Sequence, residues 1–140
     1  VIAIIAVLAA IVLVNVTQYI AKGKNTAIKG NLATLLTNGA VFYDTGSTYT
    51  AFDTNTVSGC SSSILAAINN AKGGTAYAGT DLCKIGTTAA PGTTWCACST
   101  LNVTSTEPSG STFCVDSTGK KTQTTTACGT ECVATTGACL

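Results

Sequence analysis

The chain has 140 residues, of which 46% are hydrophobic, only 9% are charged, and none is His. That length supports one domain, or one domain with an appended segment. A net charge of +1 leaves no overall electrostatic footprint for nucleic acid or anionic lipid, and the lack of His excludes imidazole catalysis and His-ligated zinc. Val1 stands where an initiator Met would, which reads as leader processing together with a lost N-terminal segment.

The apolar residues are concentrated in a stem. Val1, Ile2, Ile4, Ile5, Val7, Leu8, Ile11, Val12, Leu13 and Val14 fill ten of the first fourteen positions, Ala fills the rest, and the first charge is Lys22. Residues 1–21 as a helix reach about 31 Å, the thickness of a bilayer core. The Val, Ile and Leu residues favour insertion by roughly 3–6 kcal/mol, which Asn15, Thr17 and Gln18 partly offset. A secretory signal, a plain single-span anchor, and an anchor that later becomes the core of an assembly all share such a stretch.

The residues that follow decide among them. Ile20, Ala21, Ala27, Ile28, Leu32, Leu35, Leu36, Gly39, Ala40 and Tyr43 recur at helical spacing, with Lys22, Asn25, Lys29 and Asn38 mostly off that stripe. The two segments predict one helix of about 43 residues, roughly 65 Å long, apolar all round at first and amphipathic after residue 22. It ends at the turn-forming cluster Asp44-Thr45-Gly46-Ser47. Such a helix is far longer than the remaining chain can cover, so its first half needs lipid or other copies of itself.

The run Val1-Ile2-Ala3-Ile4-Ile5-Ala6-Val7-Leu8-Ala9-Ala10-Ile11, with Ala27-Ile28-Lys29-Gly30-Asn31-Leu32 and Ala40-Val41-Phe42-Tyr43-Asp44, resembles the N-terminal helix of bacterial type IV pilins and of type II secretion pseudopilins. The resemblance covers residues 1–45 and sets Val1 downstream of the methylated Phe, and of the Glu following it, with which family members begin. It implies an α+β fold: a long N-terminal helix packed on a small antiparallel sheet, with a disulfide-tied C-terminal region. Val1 to Val14 would form the filament core, while Ile28, Leu32, Leu35, Leu36 and Tyr43 would hold the helix to the head. The implied partners are other copies of the subunit, the pilus assembly machinery, and the inner membrane before assembly at the cell surface. Because the stretch Val12-Leu13-Val14-Asn15-Val16-Thr17 is rich in β-branched residues, helical hydrogen bonding in the assembled filament is expected to be weakened or lost somewhere between Leu8 and Gln18.

The head, residues 46–140, holds all eight Cys: Cys60, Cys83, Cys96, Cys98, Cys114, Cys128, Cys132 and Cys139. An even count in a polar, exported domain reads as a disulfide framework rather than a zinc site, since neither Cys96-Ala97-Cys98 nor Cys128-Gly129-Thr130-Glu131-Cys132 is a CxxC knuckle. Residues 61–71 predict a short helix with Ile64, Leu65 and Ile68 inward, clasped by a Cys60–Cys83 bridge. Strands are expected at residues 95–103, 113–116 and 121–126, the last two joined by a turn at Asp116-Ser117-Thr118-Gly119. The run from Phe113 to Lys120 resembles heads of small pilin-like proteins, which implies that Cys114 pairs across the sheet with Cys96 or Cys98. The rest of Cys128, Cys132 and Cys139 would then tie down the tail. Asn102-Val103-Thr104 fits the glycosylation acceptor pattern.

No catalytic constellation emerges. Asp44, Asp53, Asp81, Glu107, Asp116 and Glu131 are scattered, no phosphate-binding loop occurs, and no base stands ready to activate a thiol. The expectation is a structural protein without cofactor or metal. The alternatives are a pseudopilin, although the head lacks the acidic loops such proteins use, and a monomeric membrane-tethered binding domain.

Overall fold

The computed structural model describes residues 2–52, 60, 63–73, 83–87 and 92–140. Val1, Asp53, Asp81, and the first two residues of the helix expected at 61–71 lie outside them. The fold is α+β: a long helix α1 (Ile2–Gly46), a short helix α2 (Ser63–Ala71), strands β1 (Cys83–Ile85), β2 (Trp95–Thr100), β3 (Thr112–Asp116) and β4 (Lys121–Thr124), then a helical turn α3 (Cys128–Glu131) and the two-residue strands β5 (Cys132–Val133) and β6 (Ala138–Cys139). Strands β1 to β4 form an antiparallel meander in sequence order, and β5 pairs with β6.

Helix α1 is unbroken from the apolar stem to the turn cluster. It stops where Ser47 takes a left-handed conformation (φ 54°) and donates its N–H to the Tyr43 carbonyl at 2.6 Å. Along its second half Asn25, Ile28, Leu32, Leu35 and Gly39 are buried, alternating three and four apart, the spacing of one helix face. Leu36 and Phe42 pack at the edge of the same cluster, whereas Tyr43 is 37% exposed and stacks on Tyr49 with ring centroids 4.9 Å apart. The structure differs from the sequence expectation at Asn25, which lies on the buried face, and at Ala27 and Ala40, which are exposed.

The sheet has two unlike faces because its central strands alternate. Trp95 and Ala97 of β2, with Phe113 and Val115 of β3, join Ile28, Leu32, Leu35, Phe52 and Ile68 in the apolar core beneath α1. Trp95 lies against Phe52 (centroids 4.9 Å) and directly over Gly39, where a Cβ would fall 2.7–2.9 Å from three indole atoms. The opposite face carries Cys96, Cys98 and Cys114, and the C-terminal segment crosses it.

That crossing overturns the pairing expected for Cys114. Cys98 and Cys114 sit opposite each other in the β2–β3 register, yet they are not bonded to each other. Side chains directly opposite in a sheet rise side by side toward whatever covers it. Here the cover supplies a sulfur to each: the bridges are Cys96–Cys132, Cys98–Cys128 and Cys114–Cys139, with Cα–Cα distances of 5.6, 5.5 and 6.0 Å. The fourth, Cys60–Cys83, closes the segment around α2, where Ile68 is fully buried and Ile64 and Leu65 pack at the core's edge.

Gly30 and Gly39, two of the glycines of α1, face opposite ways and should respond oppositely to Ala. Gly39→Ala overpacks the indole and is expected to destabilise by about 1–3 kcal/mol, although Ala is the better helix former by about 1 kcal/mol. Gly30 has nothing within 4 Å of the added Cβ, so Gly30→Ala should stabilise by roughly 0.5–1 kcal/mol. Urea unfolding of the full chain in detergent, followed through Trp95, measures both. Peptide mapping under non-reducing conditions should recover the four bridges above and no Cys96–Cys114 or Cys98–Cys114 peptide.

Candidate functional site

Beyond the head, the apolar side chains of α1 are exposed. Ile2, Ile4, Ile5, Val7, Leu8, Ile11, Val12 and Leu13 are each between 55% and 86% exposed. Val14 lies in the helix, and only its backbone is described. Fully burying a side chain of this size is worth about 1.5–3 kcal/mol, so these eight carry a gross drive of roughly 12–24 kcal/mol toward any apolar environment. The helix is long and apolar enough to cross a membrane. With four disulfides in the head, it suits a chain anchored in a membrane and exposed to an oxidising extracellular compartment.

The junction between stem and head is polar. After Thr100 the chain turns back along α1 toward its N-terminus. Leu101 is buried, and Asn102 meets Asn25: Asn25 Oδ1 accepts from the Asn102 backbone N–H (2.7 Å) and from Asn102 Nδ2 (3.1 Å), while Asn25 Nδ2 donates to Asn102 O (2.8 Å) and Glu107 Oε2 (3.0 Å). Lys29 Nζ closes the cluster on Glu107 Oε1 at 2.6 Å, and Thr104 Oγ1 donates to Glu107 Oε2 at 2.6 Å. The Lys29 bond foremost, then Thr104, and also Asn25 hold the Glu107 carboxyl down to about 2 against the opposing pull of burial. Furthest along, the Ser105 N–H donates to Gln18 Oε1 at 3.1 Å.

The sequence reading did not assign this cluster. Its one signal was a polar residue, Asn25, three positions before Ile28 on an otherwise apolar stripe. A buried amide is tolerated there because each of its polar atoms is bonded. The same cluster bears on Asn102 as a glycosylation acceptor. Its Nδ2 already donates to Asn25 Oδ1 and to Ala71 O (3.3 Å), so a sugar on that nitrogen would remove at least one of the two bonds.

Two other acids are also committed inside the head. Asp116 Oδ1 accepts from the Thr118 N–H and hydroxyl and from the Lys120 N–H, while its Oδ2 accepts from the Cys139 N–H at 3.0 Å. Glu131 is 2% exposed and accepts from the Thr122 and Thr124 hydroxyls. These carboxylates fasten the C-terminal segment to the sheet. Among the described residues no group of three His, Cys, Asp or Glu side chains is placed to hold a metal ion.

Because the Glu107 pKa is depressed in the folded chain, its contribution to stability is complete above the ordinary carboxyl range and is lost as pH falls from about 4.5 toward 2. Urea midpoints should therefore drop over that window, and Glu107→Gln should flatten the drop while costing about 1–3 kcal/mol at pH 7 from donors left unpaired. An unchanged acid limb in the variant would assign the effect to another carboxylate.

Comparisons with protein-family models, with curated proteins and with solved structures find no match to this chain.

Proposed function

We propose that the chain is a structural subunit of the type IV pilin kind, which polymerises through the first half of α1 into a filament on the cell surface. The observation that supports this best is the division of one continuous helix. Residues from Asn25 onward build the core of a head, while Ile2 to Leu13 offer apolar side chains on every side to something outside the chain. A helix apolar all round belongs in lipid or among other helices, and this subunit uses the two in succession: the inner membrane first, then the bundle of equivalent stems. Assembly is burial rather than catalysis, so the partners are other copies of the chain and the machinery that moves them, with no cofactor or nucleic acid required. Ala3, Ala6, Ala9 and Ala10 permit close approach of neighbouring stems.

Electron microscopy of sheared surface material tests the reading: filaments containing this chain support it, and recovery solely as a detergent-soluble monomer overturns it in favour of a tethered binding domain. Ile5→Asp places a charge costing about 2.5–3.5 kcal/mol in an apolar helix surround. It is expected to abolish filaments while leaving all four bridges in the head.

A further inference from the structure

We propose that, before assembly, the head rests directly on the bilayer rather than standing off from it, with the 103–106 loop and the adjoining turn of α1 seated against a lipid headgroup surface. The proposal rests on the reading of the stem as a membrane-inserting helix and adds to it a second contact, made by the head itself.

The path of the chain brings the loop to the right level. Trp95 covers Gly39 at one end of the head, and Ser105 bonds Gln18 at the other, 21 residues back along α1 and so about 31 Å away. The apolar run that a hydrocarbon core would surround ends at Val14, one helical turn before Gln18, with Asn15, Val16 and Thr17 between them. Gln18 thus spends its side-chain carbonyl on the loop about 6 Å beyond the end of the apolar run, at headgroup level.

The surface at that level has the composition of a membrane interface. Tyr19 is 73% exposed, and Val103, the first residue of the loop, is 60% exposed. Lys22 and Lys24 follow Tyr19 within two turns, and no acid occurs on α1 before Asp44. The nearby Glu107 is already paired with Lys29. The belt is therefore locally cationic on a chain that is nearly neutral overall. Aromatic rings with a polar tip and lysines on long stems are the side chains that settle at the headgroup level.

The loop backbone is also prepared for low polarity. The N–H groups of Thr104, Ser105 and Thr106 donate to Glu107 O (2.9 Å), Gln18 Oε1 (3.1 Å) and Thr104 Oγ1 (3.3 Å). Approach to lipid strands none of these three donors.

The test reconstitutes the full chain as single copies in phosphatidylcholine–phosphatidylglycerol vesicles and reads tryptophan quenching by brominated lipids. Native Trp95, buried at the far end of the head, supplies a constant background. Val103→Trp and Ser105→Trp are expected to add emission that is largely lost with bromine near the headgroup and little affected by bromine at the chain ends. Ile11→Trp reports the span, and should be quenched by bromine deep in the chains. If neither loop variant responds to brominated lipid while Ile11→Trp does, the docking is overturned and the membrane span stands. If Ile11→Trp is also unaffected, both fail together.

Discussion

A single uninterrupted helix, α1, carries both the burial that builds the head and the apolar surface that the head cannot cover. Its second half presents one stripe, from Asn25 through Ile28, Leu32 and Leu35 to Gly39, and the four-stranded meander and α2 assemble against it. The stripe ends against the largest side chain in the core: Gly39 lets the indole of Trp95 lie on the helix backbone, and the rings of Phe52 and Tyr49 gather around it.

The far side of the sheet is held by different means. Its covering segment, from Cys128 to the C-terminus, brings little apolar side-chain area, and a head of this composition is short of large aliphatic residues. Cystine sulfur fills the gap, and each bridge constrains the unfolded chain by an amount typically worth about 2–4 kcal/mol. Asp116 and Glu131 supplement the bridges by accepting hydrogen bonds from the tail and from β4. The abundant Thr residues thus have a use beyond a solvated strand surface: Thr122 and Thr124 satisfy a buried carboxylate, and Thr104 satisfies another.

Much of the architecture was legible in the sequence. The long helix, its end near Ser47, the α2 segment with its Cys60–Cys83 clasp, and the strands at Trp95, Phe113 and Lys121 follow from apolar periodicity and turn chemistry acting over a few residues. Strand β1 and the small β5–β6 hairpin were not read, because three- and two-residue strands are defined by partners rather than by pattern. Asn25 was read as a polar residue on the outside of the helix, since periodicity cannot tell a solvated amide from one bonded to a loop 77 residues away.

What the sequence determined by itself is a segregation: apolar residues in a stem too long for the head to cover, and all eight Cys within the head. That is a property of composition along the chain, and no folding can alter it. Only the tertiary structure decided which Cys of the sheet meets which Cys of the C-terminal segment. Cys98 and Cys114 are neighbours in the register, yet their side chains rise in parallel from one face, and the segment that crosses that face supplies both partners. Pairing depends on what covers the sheet, and that is settled only when the last residues of the chain are in place.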